Sequence, residues 1–543
     1  MDIGVPSIRN LFRIKAERAL LWIAIGITSI PLHLLYNSAV YTTLAANDFF
    51  VAVVGSDHFE PRAHSNTPKA YLFRSETRNA TTGKEYGDPG YQTDSRDMQL
   101  FISMLEGYNG STPGYEDLTA PQCIRLYSTD ILQDRRNLFL ITNHTSNATY
   151  DNTFLDTWWY IHAGGALTAT WTCLYLQGSL RCNTNKLASR VASGIPWLVQ
   201  IGTGEMVKIK GCKSEKVAGK CKVQFSLGIM IAVICCNLVK ACCMVMAVLR
   251  SREPTLVTLG DAIDSYLRIP DPTTMGICFA DRRFIKREWR HGSRAGPRQW
   301  KRKGIQRWWT SVSKTRWITC IFFCSIAIII TGVLLGKGIG QDGEFLSTDL
   351  KSLWTRGFGK VNSVSVVTVR FQNITQAILL ANLPQTILSF LYLTYNSLFT
   401  CMLAGHEWSL FSHHHRALRV TSPRPGQRST YWLQIPYTYA ISLMALSALL
   451  HWLTSQSIFL ARVDIWEPLG REVRGMMSTV GYSCIAIIFA LPLGILALLT
   501  AVGMGLRPFA AEITTVGSCS AAISAACHAW GVDSERIVGK RVR

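Results

Sequence analysis

Gln376-Ala-Ile-Leu-Leu-Ala-Asn-Leu-Pro-Gln-Thr-Ile-Leu-Ser-Phe-Leu-Tyr-Leu-Thr-Tyr-Asn-Ser-Leu-Phe-Thr-Cys-Met-Leu403 contains no Asp, Glu, Lys or Arg. As a helix it would rise about 42 Å at 1.5 Å per residue, more than the ~30 Å hydrocarbon core of a bilayer. Its polar members follow a pattern. Asn382, Gln385, Ser389, Tyr392 and Asn396 recur at steps of three and four, which places all five on one helical stripe. Polar side chains avoid lipid, so the stripe is expected to face other helices or an aqueous cavity. Pro384 frees a backbone carbonyl and predicts a kink.

Five further apolar runs have similar length, so six spans are predicted: 19–44, 225–249, 317–336, 376–403, 432–460 and 477–506. Hydrophobic residues make up 48% of the 543-residue chain and charged residues 17%, against roughly 25% charged in soluble proteins. The expected fold is an all-α polytopic membrane protein. Span one has a basic flank like that of a signal peptide, but its apolar run is too long, so it is expected to stay as a membrane helix.

The net charge of +21 is unevenly placed. With the N-terminus inside, the tail 1–18, the loops 250–316 and 404–431 and the tail 507–543 carry a net +17, and the segments 45–224, 337–375 and 461–476 a net +3. The positive-inside rule therefore predicts cytoplasmic termini. The triplets at Asn79, Asn109, Asn143 and Asn147 all fall in 45–224, as glycosylation on the other side requires. The expected location is the secretory pathway, in the plasma membrane or an endomembrane.

Segment 45–224 is long enough for a small mixed domain, with strand-like runs at Asn137–Thr142 and Thr168–Leu176. It holds Cys123, Cys173, Cys182, Cys212 and Cys221, candidates for disulfides in an oxidising compartment. Cys212 with Cys221, and Cys173 with Cys182, are the close pairs, although connectivity is not readable from sequence.

Polar residues recur in other spans. His33 and Asn37 are four apart in span one, and His451 and Ser455 are four apart in span five. A seam among spans one, four and five is expected. It serves either as interhelical hydrogen bonding, the favoured reading, or as a substrate pathway. The spans contain no Asp or Glu, which weakens a cation-coupled transporter.

On the cytoplasmic face, residues 282–316 interleave basic residues with Trp289, Trp300, Trp308 and Trp309, and are expected to lie along anionic inner-leaflet lipid. Binding of nucleic acid is not expected. His413-His414-His415 lacks a surrounding ligand set and reads as a solvated loop, so no metal or cofactor is expected. Gly338-Ile-Gly340-Gln-Asp-Gly343 follows a membrane span rather than a strand, and His406-Glu407 lacks the second His of a zinc-protease motif. No catalytic residue is predicted.

Several stretches are familiar together: Asp2-Ile-Gly-Val-Pro-Ser-Ile-Arg-Asn10, Ser29-Ile-Pro-Leu-His-Leu-Leu-Tyr-Asn37, Cys236-Asn-Leu-Val-Lys240, Leu256-Val-Thr-Leu-Gly-Asp-Ala262, Leu380-Ala-Asn-Leu-Pro-Gln385, Arg419-Val-Thr-Ser-Pro423 and Cys519-Ser-Ala-Ala-Ile-Ser-Ala-Ala-Cys-His528. Over nearly the whole chain they resemble a family of fungal polytopic membrane proteins, domain of unknown function 6536. The resemblance implies a multispanning membrane protein and supplies no activity or substrate. It also implies further helices upstream of the stretch like Asp2–Asn10, so this chain is expected to be either an N-terminally short gene model or a true short form. The expected function is a non-enzymatic sensor, receptor-like or scaffold protein presenting an outer domain; the alternative is a transporter or channel using the polar seam.

Overall fold

The structure is a computed structural model. It describes residues 1–59, 74–75, 114–128, 132–143, 153–160, 172, 184–201, 205–250, 255–275, 277, 280–287, 304–345, 348–361, 365–367, 373–413 and 415–528. Among the described residues six helices are long and apolar enough to cross a membrane: Ala16–Ser38, Leu227–Arg250, Lys314–Gly340, Ile374–Leu410, Tyr437–Ser457 and Cys484–Leu506, called spans one to six here. The chain is an integral membrane protein whose surroundings are a lipid bilayer.

The expectation of an all-α fold is wrong. The described strands form sheets of four, seven and two strands. Three predicted spans overran into strand by three residues or more. Val40–Leu44 lie in β1 (Val40–Asn47), Ile458–Leu460 in β12 (Ile458–Trp466), and Met477–Tyr482 in β13 (Val473–Tyr482). Hydropathy alone does not separate an apolar strand from the helix it extends. Val40-Tyr41-Thr42-Thr43 and Ile458-Phe459 are aromatic and β-branched, types that favour the pleated state. The stretch 461–476, read as a loop, belongs largely to the β12–β13 hairpin.

β13, β12, β1 and β9 (Cys221–Phe225) form the four-stranded sheet in that order. Each strand continues a span directly. β1 follows span one, β9 leads into span two, β12 follows span five, and β13 leads into span six. Backbone bonds close the junctions, from the Ser226 N–H to the Ala39 carbonyl (3.0 Å) and from the Ser483 N–H to the Ser457 carbonyl (3.0 Å). Four of the six spans therefore end in one sheet, and a strand cannot shift register without moving a helix end.

Beyond Asp48, β2 (Phe49–Gly55) enters the seven-stranded sheet, which also contains β3 (Arg74–Ser75), β4 (Tyr115–Thr119), β5 (Arg135–Thr142), β6 (Phe154–Tyr160), β7 (Trp197–Gln200) and β8 (Met206–Lys216). Helices Ala120–Leu126 and Thr184–Ala192 cover a core built on Phe49, Val51, Val53, Leu138 and Leu140. Cys123 and Cys212 form a disulfide. The expected pairing of Cys212 with Cys221 is therefore wrong. β4 runs antiparallel to β8 with Leu118 opposite Cys212, so the helix that follows β4 folds Cys123 back onto that position. Cys173 and Cys182 lie outside the described residues, as does the run Thr168–Leu176 except for Thr172.

Asp48 joins the two sheets and is fully buried (0% exposed). Its N–H donates to the Trp466 carbonyl at 2.9 Å, and its carboxylate pairs with Arg474 at 3.4 Å. Beside it, Asn47 Nδ2 donates to the carbonyls of Gln133 and Arg135, both at 3.1 Å. Asn137 Nδ2 donates to the Pro468 carbonyl at 3.2 Å. The domain is thereby fastened to the hairpin above spans five and six.

Candidate functional site

Span four is a 37-residue helix, about 55 Å long at 1.5 Å per residue, and it packs against spans one, three, five and six. At one end Ala377 and Ala381 pack on Val480, Ile458 and Leu460 of the four-stranded sheet. The other end reaches a folded platform containing the described residues of both termini.

The expected polar stripe starts near the sheet end. Asn382 is 4% exposed, and its Nδ2 donates to Ser38 Oγ at 2.7 Å and to the Ile378 carbonyl at 3.0 Å. Gln385 is buried and its Nε2 donates to the His451 carbonyl at 3.4 Å. Ser389 Oγ lies 3.3 Å from His33 Nδ1, and the rings of His33 and His451 stack with centroids 6.2 Å apart. His33, Asn382, Gln385, Ser389 and His451, from spans one, four and five, thus meet in one seam.

The other four seam candidates stand apart from this network. Asn37 is exposed, and its neighbour Ser38 holds the position opposite Asn382. Tyr36–Ser38 form a 3-10 turn, which advances the helical phase of the preceding residues. Ser455 donates to the Trp452 carbonyl of its own helix (2.7 Å). Tyr392 and Asn396 are half-buried, with no interhelical hydrogen bond from either side chain among the described residues. Tyr395 was missed. It is buried, and its hydroxyl donates to the Ala497 carbonyl (2.8 Å) and lies 3.0 Å from Thr500 Oγ1, tying span four to span six. As an aromatic one residue off the polar stripe, it carried no periodic signal.

The platform gathers segments far apart in sequence. Asp2 pairs with Arg316 at 3.1 Å and Arg282 at 3.4 Å, and Ser518 Oγ donates to it at 3.1 Å. Burial raises the Asp2 pKa, but the two guanidiniums outweigh it and hold the carboxyl below its ordinary value. Gln434 Nε2 donates to the Val257 carbonyl at 2.9 Å and also to that of Gly4. Thr258 Oγ1 donates to the Arg419 carbonyl at 2.7 Å, and the Thr421 N–H donates to Asp261 Oδ1 at 2.8 Å. Glu407, at the end of span four, pairs with Arg419 at 3.1 Å. These two side chains line a cavity of about 30 Å³ with Thr258, Gln434 and Ser518, room for a water or two. Thr274 Oγ1 lies 2.7 Å from Ser524 Oγ and 2.9 Å from His528 Nε2. Burial pushes the nearby Cys527 thiol up to about 11, so it stays protonated at neutral pH.

The basic stretch 282–316 is partly absorbed into this platform. Phe284 and Ile285 are buried, and Trp308 is buried with its ring 4.6 Å from that of His406. Trp309 is exposed, and Trp289 and Trp300 lie outside the described residues. His413 Nε2 lies 2.6 Å from the Ala510 carbonyl. Asn143 is exposed at the end of β5, and Asn79, Asn109 and Asn147 lie outside the described residues.

Residues 1–43 match a family of unknown function, DUF6536, and residues 291–540 match a domain of unknown function, DUF8419. The expected resemblance thus holds for the N-terminal stretch, where the family model matches, and not for nearly the whole chain. Fungal origin does not follow from these matches. No curated protein and no solved structure matches the chain.

Proposed function

We propose that this chain is a non-enzymatic, receptor-like membrane protein in which span four couples the sheet-end domain to the terminal platform. The observation that carries this is the reach of span four, a single helix that packs on the four-stranded sheet at one end and supplies Glu407 to the platform at the other. Because the same sheet also terminates spans one, two, five and six, a tilt of the domain would move several helices at once.

In this proposal the sheet end faces the secretory lumen or exterior, where the sequons and the disulfide belong, and both termini are cytoplasmic. The charge asymmetry between the two sets of loops supports that orientation. The exposed part of 282–316 then lies against anionic inner-leaflet lipid, and Asn143 is open to glycosylation.

A transporter or channel would run through the same seam. The hydrogen bonds from Asn382 and Gln385 to other helices support packing instead. Cysteine accessibility separates the two. In the reconstituted chain, Ser389→Cys should resist a water-soluble thiosulfonate reagent while Ser422→Cys reacts. Rapid labelling at 389, together with solute flux that the label blocks, would overturn the receptor-like reading.

A further inference from the structure

We infer that span two is a self-association surface and that its partner is a second copy of this chain, joined through Asn237. Span two lies at the edge of the bundle, packed along span one and the turn Tyr36–Ser38. Asn237 is the eleventh residue of its 24, close to the middle of the bilayer. Its side chain is exposed and makes no hydrogen bond among the described residues. An amide facing hydrocarbon without a partner is strongly disfavoured, because lipid tails supply neither donors nor acceptors.

Two other polar groups on the spans are satisfied within their own helices. Ser442, exposed on span five, donates to the Thr438 carbonyl of its own helix at 3.0 Å, and Thr500, on span six, donates to that of Ala497 at 2.8 Å. Asn237 has no such bond.

The residues around Asn237 define the geometry of the partner. Ile234, Asn237, Ala241, Met244 and Val248 are all exposed and are spaced three, four, three and four apart. That is the repeat of a left-handed helix pair crossing at a shallow angle. Ala241, one turn from Asn237, lets two backbones approach. An Asn amide carries a donor and an acceptor, so it complements an identical amide across a two-fold axis. Hydrogen-bonding complementarity therefore favours a second copy over an apolar neighbour. The inference requires only that span two crosses the bilayer, and stands apart from the receptor-like proposal.

The test uses the full chain carrying donor or acceptor fluorophores, co-reconstituted in liposomes at varied protein-to-lipid ratios. Energy transfer should show association. Asn237→Leu should weaken it about three- to thirtyfold, the range of one interhelical hydrogen bond in lipid, and Asn237→Gln should retain it. Leu at a lipid-facing position suits the monomer, so misfolding would not mimic the loss. With Cys235, Cys236, Cys242 and Cys243 replaced by Ala, Ala241→Cys should form an intermolecular disulfide and Val239→Cys should not. A chain that stays monomeric at all ratios, an unchanged association constant in Asn237→Leu, or cross-linking through position 239 would overturn the inference.

Discussion

Asn382 of span four donates a hydrogen bond to Ser38 at the sheet end of span one, Nδ2 to Oγ, at 2.7 Å. Both side chains are buried, so each removes the other's desolvation cost. Asn382→Leu removes the donor and leaves the Ser38 hydroxyl enclosed. The expected loss is about 1–2 kcal/mol, the range for an interhelical hydrogen bond. It should appear as a lower thermal midpoint of the detergent-solubilised chain. An unchanged midpoint would mean that the seam does not hold the bundle.

The disulfide between Cys123 and Cys212 closes 89 residues of sequence. A loop of that size contributes about 4–5 kcal/mol through the unfolded chain. Cys212→Ser should therefore expose the domain to proteolysis at protease levels that the native chain survives. Cys221→Ser should not, because β9 is held by its ladder with β1. Equal sensitivity of the two variants would point to a different pairing.

Asp2 gives the platform an acid limb. Its folded pKa lies below the ordinary carboxylate value of 3.8. A carboxyl with a depressed pKa adds stability that is present above the unfolded pKa and lost as pH falls through the folded one. The platform should therefore loosen below about pH 4. Asp2→Asn should be less stable at neutral pH and should flatten this limb. Tryptophan fluorescence against pH, compared between the two chains, checks both points.

Glu407 and Arg419 pair with side chains only 17% and 13% exposed. Removing the carboxylate leaves a guanidinium enclosed with a neutral amide, and breaking a buried pair costs about 3–5 kcal/mol. Glu407→Gln should fall toward the lower end, because Arg419 also donates to Thr430 Oγ1 and the Gln434 carbonyl. Thermal unfolding of Glu407→Gln and Glu407→Ala would show the order, with Ala the less stable.

The spans were legible because an uncharged run of twenty residues has few alternatives to crossing a bilayer. The four-stranded sheet was not, because Val40–Leu44 and Ile458–Leu460 adjoin helices and share their hydropathy, whereas the run Asn137–Thr142 was legible and lies in the strand Arg135–Thr142 of the seven-stranded sheet. The seam was legible at Asn382, Gln385 and Ser389, where an unbroken helix keeps its phase. It failed at Asn37, where a 3-10 turn brought Ser38 inward instead. The platform left no local pattern. Asp2 pairs with Arg282 and Arg316, and it bridges to Cys519 at the far end of the chain. Only the folded chain brings such residues together.

The central claim is that the sheet-end domain and the terminal platform are coupled through the spans. Asp48→Asn tests it, because it weakens the pairing with Arg474 at the joint between the two sheets while leaving every platform residue in place. The measurement is hydrogen exchange of the helix Leu259–Arg268, in full-length protein in lipid nanodiscs. Coupling predicts a severalfold change in exchange at this helix, on the far side of the bundle from the substitution. Exchange that changes around β1 and β12 and is unaltered at 259–268 would contradict it.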